Sequence, residues 1–388
     1  MTRHSESLMR GGLVHRLLRA SGAMHGLPHL PCWIAAGLLL VSTLPLLLLC
    51  ASAGTLWPHP PAMALLGDYA TLARLLLATP VLILAAAPAD ALMRNAFRQL
   101  GQHSLVPPRR QPRLQALLRQ IRHGRDGWWP EALCVLIAWA PALLDSHAVS
   151  LLPGIADWRL DGAHLTAAGR WYEWVSLPLH RLILLLWLWR FALWTYLLWR
   201  LPRVGMVLRP QHPDGAGGLG FLGLAQERFA VLSLSSGLLL GGACLNHMTY
   251  LGEGLHDMRH LLAGFVIGAT ALLVAPLLLL MPAMLRAKRH GLYRFDALGS
   301  RAAETFDRRW KQDVGSRDDS DSLLDHGDAS ALADFSGVYH GLASMSVMPL
   351  NRWNLVWMTI PAMLPLCPVF LVAMSVDELA SKLLGILA

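Results

Sequence analysis

Residues 32–56 read CWIAAGLLLVSTLPLLLLCASAGTL, a stretch without a single Asp, Glu, Lys or Arg. As a helix rising ~1.5 Å per residue it outreaches the ~30 Å hydrocarbon core of a bilayer. The Pro within it breaks one backbone hydrogen bond, which a neighbouring membrane helix can repair. The small residues Ala51-Ser52-Ala53 imitate a signal-peptide cleavage site. The region before them is long and further apolar runs follow, so an uncleaved first span is expected.

Outward from this stretch, six more runs have the same character: Tyr69–Leu92, Glu131–Leu151, Leu177–Arg200, Leu219–Leu245, His260–Leu285 and Trp353–Val376. The expected fold is all-α, a polytopic transmembrane helix bundle of about seven spans. Composition agrees. Of 388 residues, 54% are apolar and only 15% charged, against roughly 25% charged in soluble proteins. The five cysteines form no CxxC pair and sit in or beside apolar runs. They read as buried free thiols rather than a disulfide framework or a zinc site.

The net charge of +8 has a topological reading. With the N-terminus inside, 25 of the 33 Lys and Arg fall in cytoplasmic segments. Arg159, Arg170, Arg259 and Lys382 fall outside, and the rest lie within spans. This is a positive-inside pattern, N-in and C-out. It makes the basic charge a partner for anionic lipids at the cytoplasmic face and argues against nucleic acid. Residues 1–31 are then a cytoplasmic amphipathic segment and 32–285 a six-span membrane domain. Within that domain the basic stretch 104–125, with Leu114, Leu117, Leu118 and Ile121 at helical spacing, predicts a surface helix. Residues 286–351 form a cytoplasmic loop whose acidic middle reads as a solvated linker. Residues 352–388 hold the last span and an outer tail.

Ionisable residues at bilayer depth are costly and therefore candidate functional groups. Arg74, Asp145 and Arg181 lie at similar depth below the outer boundary. They predict one cluster, with Asp145 between the two arginines and His147 and His180 beside it. Arg190 and Glu227 are deeper and predict a second, inner pair.

The most distinctive string is His212-Pro213-Asp214-Gly215-Ala216-Gly217-Gly218-Leu219-Gly220-Phe221-Leu222. Asp214 suits an N-cap for the fifth span, and the glycines permit tight turns. Exposed N–H groups at such a helix start also suit an anion or lipid phosphate. The string, placed after a Trp- and Arg-rich helix, resembles that of a family of uncharacterised bacterial multi-pass membrane proteins. The resemblance implies a bacterial inner-membrane location and carries no activity, so no catalytic residue transfers with it.

His256 and His260, four apart on one helical face, are the candidate metal pair. No HExxH, GxSxG or Walker motif is present, no catalytic residue is assigned and no cofactor is expected. Kinked helices and buried charges favour transport or channel function for a small solute or ion. The alternatives are a structural or regulatory membrane component, with a protein partner or a second copy of the chain, and a membrane-embedded enzyme acting on lipid or envelope precursors.

Overall fold

The computed structural model describes residues 30–58, 62–102, 105–144, 152, 154–162, 164–313 and 327–373. Among the described residues the regular structure is helical apart from one two-stranded antiparallel pair, β1 (Leu160–Asp161) and β2 (His164–Leu165). Helix α1 (Leu30–Ser52) contains Pro45. Its hydroxyls at Ser42 and Thr43 turn back onto the Leu39 carbonyl, so neither is left bare in an apolar surrounding. Helix α2 (Thr79–Gln102) is entered through one helical turn, Tyr69–Leu72, and a π-helical stretch, Ala73–Ala78.

Helix α3 (Gln111–Asp126) is the basic helix anticipated over 104–125. Its apolar face is spent on protein rather than lipid: Leu114, Leu117 and Ile121 are buried in the main core. Helix α4 (Trp128–Leu143) has 16 residues, ~24 Å by helical rise. That falls short of a full crossing, and the remainder of the expected third span lies outside the described residues. Helix α5 (Leu177–Arg200) follows Ala167–Trp171 and a second π-helical stretch, Tyr172–Ser176.

Helices α6 (Gly220–Gln226) and α7 (Ala230–Leu251) join through a tight turn at Glu227–Phe229. Helix α8 (Leu255–Leu278) leads into α9 (Met281–Asp313), and α10 (Gly327–Ala343) returns alongside α9. Helix α11 (Arg352–Met363) continues through Leu364–Leu366 into α12 (Cys367–Ala373).

Among the described residues, six helical stretches are long and apolar enough to cross a membrane. The described part of the expected third span, α4, is apolar but short. The chain is thus an all-α polytopic bundle. The cytoplasmic-loop expectation also changes. Residues 286–313 and 327–343 are helical, and Phe295 stacks on Phe335 at 5.9 Å, so the two arms form a helical hairpin.

Helix α7 is central: the span Gly220–Leu251 to which it belongs is 56% buried over its most apolar part, against 22–33% for the other five spans. Small residues make this possible. A Cβ on Gly241 would stand 2.6 Å from the Pro365 carbonyl oxygen, and one on Gly242 2.7 Å from that of Tyr69. Without a hydrophobic drive between helices in lipid, such close backbone approach is a main source of packing energy. The main core lies between α2, α3, α5, α6 and α7, around Leu82, Trp187, Trp194 and Phe229.

Candidate functional site

At the end of the bundle that carries the β1–β2 pair, polar side chains are buried in one connected network. Asp68 is 2% exposed. One carboxylate oxygen accepts the Thr71 N–H at 3.1 Å and the Asn246 side-chain amide at 2.9 Å. The other accepts the Thr71 hydroxyl at 2.6 Å and the Trp158 indole N–H at 3.3 Å. Asn246 in turn accepts the Tyr69 N–H at 2.8 Å. Four donors fill the carboxylate's four sites, so Asp68 clamps the entry to α2, the β1–β2 segment and α7 together.

Beside it, the Arg159 guanidinium donates to Asp157 through Nε at 2.6 Å and lies over the Trp158 and Tyr172 rings. Burial works against the charged form of Arg159. The Asp157 carboxylate outweighs it and holds the guanidinium's pKa above its ordinary value.

The two π-helical stretches meet next to this network. Arg74, in the first, donates to the Tyr172 hydroxyl in the second. Wider π turns recur at functional sites because they re-aim side chains out of the regular helical rows. The Thr79 hydroxyl donates to the Arg74 carbonyl at 2.8 Å and lies 2.9 Å from His180 Nδ1. A hydroxyl has one proton, so Nδ1 carries the hydrogen between Thr79 and His180. That leaves His180 Nε2 as a lone pair. It is buried, without a hydrogen-bond partner among the described residues. Arg181 is half-buried, within electrostatic range of Arg74, Tyr172 and Glu173. Arg74, His180 and Arg181 are thus within electrostatic range of one another, while the expected cluster had Asp145 between the two arginines. Asp145 and His147 lie outside the described residues.

A second charged layer sits further along the same helices. Arg190 on α5 is half-buried within electrostatic range of Glu131, Asp90 and Arg125. Asp90 on α2 is fully buried and bonded to Arg94 one turn on. Glu227 is not the partner of Arg190 that its depth suggested. Its carboxylate accepts the side-chain amide of Asn354 on α11. Depth along a helix gives height but not azimuth: Arg190 turns toward α2, α3 and α4, whereas Glu227 occupies the turn that faces α11.

Between the layers the interior is apolar. Trp187 donates its indole N–H to the Leu82 carbonyl at 2.9 Å, joining α5 to α2. Beyond Arg190 on the same helix, Trp194 donates to Gln226 at 2.6 Å, and Gln226 to the Leu273 carbonyl at 2.7 Å. Phe229 packs edge-on against Trp187.

At the opposite end lies the His212 loop. Asp214 Oδ1 accepts the N–H groups of Ala216 and Gly218 at 2.9 and 3.0 Å, and Oδ2 that of Gly220 at 2.9 Å. His212 Nδ1 is 2.8 Å from Oδ1. Burial pushes the Asp214 pKa up, but the N–H donors of Gly220, Ala216 and Gly218, with the His212 ring, outweigh it and hold the carboxyl below its ordinary value. Gly215, Gly217 and Gly218 all have positive φ, a conformation that L side chains resist. The Gly215 carbonyl accepts the Ser346 N–H at 2.8 Å, tying the loop to the segment before α11. The N–H groups expected to be open to an anion are thus taken by Asp214. A cavity of about 260 Å³ opens beside the loop, lined by Gln99, Leu105, Arg209, His212, Asp214 and Phe221 among others.

His256 and His260 are both exposed, with Arg259 between them at 3.3 Å from the first and 3.2 Å from the second. A guanidinium in that position opposes a metal cation. Among the described residues no three His, Cys, Asp or Glu side chains stand together as metal ligands.

Several of these groups escaped the sequence reading. Asp68, Asn246, Asp157 and Gln226 lie at or near span ends, or are uncharged, and attract no attention as buried charges. Asp90 carried a usable signal, a carboxylate inside an otherwise apolar run. Comparison of the chain with protein-family models, with curated proteins and with solved structures finds no match in any of the three.

Proposed function

We propose that the protein moves a small ion or solute across a bacterial inner membrane, with the N-terminus inside and the β1–β2 end outside. The observation that carries this reading is the pair of charged layers on α2 and α5. Arg74, His180 and Arg181 form one, and Asp90 and Arg190 stand in the other. From His180 to Arg190 is about 15 Å along the helix axis. The Trp187–Leu82 contact separates them with an apolar layer.

Charges kept at membrane depth without a pathway to serve are expensive. Two polar half-sites divided by an aromatic barrier have the layout that alternating access requires. Arginines in both layers favour an anion over a cation.

The test is flux in proteoliposomes under imposed chloride, nitrate, acetate and potassium gradients. Arg190→Ala should cut the flux of a transported ion at least tenfold, and Trp187→Ala should raise passive leak. Unchanged flux for Arg190→Ala, in protein that remains folded and active, overturns the pathway.

A second reading, a membrane component that docks a partner, draws support from the α9–α10 hairpin. Helix α9 has 33 residues, ~50 Å by helical rise, and therefore projects well past the bundle. Deleting the hairpin should leave flux intact if transport is the function, and abolish partner capture if docking is.

A further inference from the structure

The geometry points to a phosphate-binding site in the cavity beside the His212 loop, independent of the pathway through α2 and α5. The cavity, about 260 Å³, falls just below the roughly 300–1,000 Å³ of drug-sized pockets. That size suits a headgroup or a small anion.

Its donors are side chains, because Asp214 already occupies the backbone N–H groups of the loop. Arg209 lines the cavity and is exposed. Neither its guanidinium nor the Gln99 side chain has a hydrogen bond to another described residue. A guanidinium fork matches two phosphate oxygens. The His212 ring also lines the cavity, with Nδ1 held 2.8 Å from Asp214, and its second ring nitrogen donates to a phosphate when the ring carries both protons.

The Asp214 carboxylate does not repel such a ligand strongly. Its lone pairs are turned onto three N–H groups and the His212 ring rather than into the cavity. Leu105 and Phe221 supply apolar walls.

The loop's rigidity supports recognition. At Gly218, with φ of +93°, a Cβ would lie 3.0 Å from Leu105, so a side chain there would press into the cavity wall. The Gly215 carbonyl accepts the Ser346 N–H, and the adjacent Met345 carbonyl accepts from the Lys288 ammonium of α9, each bond 2.8 Å long, so the loop is tied to the segment before α11 and that segment to α9. The floor is therefore set before a ligand arrives.

Gln99 stands near the end of α2 and Phe221 at the start of α6, so the cavity lies at the level where apolar helices end. Lipid phosphates lie at that level, and a soluble phosphate could enter from the same side. Phosphate is the shared chemistry.

Two arms separate the sources. In the first, inorganic phosphate is titrated calorimetrically into full-length protein in a phosphate-free maltoside micelle. In the second, phosphatidylglycerol is added to the same sample and retained lipid is read by native mass spectrometry. Binding in the first arm alone assigns a soluble ligand, in the second alone a lipid headgroup, and in both a site that accepts either. Each supports the proposal if Arg209→Gln weakens the binding at least tenfold while Arg209→Lys weakens it less. Should Arg209→Gln fail to fold, Gln99→Ala is the deciding variant, with a several-fold loss expected. No binding in either arm, or binding unchanged by Arg209→Gln or by the deciding variant, overturns it.

Discussion

Replacing Asp214 by Ala removes an acceptor that three backbone N–H groups share. Ala216 and Gly218 donate to Oδ1 and Gly220 to Oδ2, all between 2.9 and 3.0 Å. A hydrogen bond to a charged group contributes about 1.5–3 kcal/mol when well shielded. Asp214 is open to solvent, so about 1 kcal/mol for each bond is the safer figure. The loss for the loop is then about 2–3 kcal/mol, which corresponds to roughly 30- to 150-fold in a local opening constant. Amide hydrogen exchange reads that constant directly. In Asp214→Ala the amides of Ala216, Gly218 and Gly220 should exchange faster by that factor, while those of α7 stay as in the wild type. Asp214→Asn is the sharper control. The amide keeps one carbonyl oxygen, so Ala216 and Gly218 retain their acceptor and Gly220 alone should speed up. Equal exchange in wild type and Asp214→Ala at all three amides would refute the account. So would a uniform acceleration across the bundle, which would mean a global rather than a local role.

Acid should imitate the same lesion. The folded-state pKa of Asp214 lies below its ordinary value, so its stabilising contribution is complete above about pH 4 and is lost as pH falls through the folded value. Pepsin cleavage near Leu219 and Phe221 should rise on going from about pH 4.5 to about pH 2.5 in the wild type, and be high throughout in Asp214→Ala. Arg159→Ala leaves the Asp157 carboxylate buried alone, at a cost of about 3–5 kcal/mol. The joint replacement by Met and Leu should recover most of the melting temperature, and a single variant melting like wild type would contradict a buried pair. Gly242→Ala sets a Cβ 2.7 Å from the Tyr69 carbonyl oxygen. Because the obstacle is backbone, a loss of about 1–3 kcal/mol is expected. It should be read as earlier labelling of the buried Cys244 by a thiol-reactive dye during heating.

The bundle was legible because apolar runs of span length have almost no other use, and four of the seven expected spans recur as helices close to their anticipated limits. The sixth is displaced toward Leu255, and the last is broken near Leu364. Of the third, the described part is a helix of 16 residues, and the rest of its apolar run past Leu144 lies outside the described residues. In the loop expected over 286–351 the two ends are helical, joined by the ring contact between Phe295 and Phe335, while its acidic middle at 314–326 lies outside the described residues.

The site divides along a different line. Arg74, His180 and Arg181 could be grouped in advance because depth alone placed them together and α2 packs beside α5. Arg190 and Glu227 satisfied the same depth criterion and are apart, since a linear chain records height in the bilayer but not the direction in which a helix face is turned. What orients the faces is the need to satisfy uncharged polar groups: Asn246 to Tyr69 and Asp68, Asn354 to Glu227, Gln226 to Trp194 and Leu273. Each bond links helices distant in sequence, and in lipid no water stands ready to replace a missing partner. Rotating α7 by a single residue would strand Asn246 and, in the direction that brings up Ala243, drive a methyl group into the space that Gly242 leaves for Tyr69. The azimuth of the central helix, and with it the partner available to every buried charge, is therefore set by amides and glycines that carry no charge.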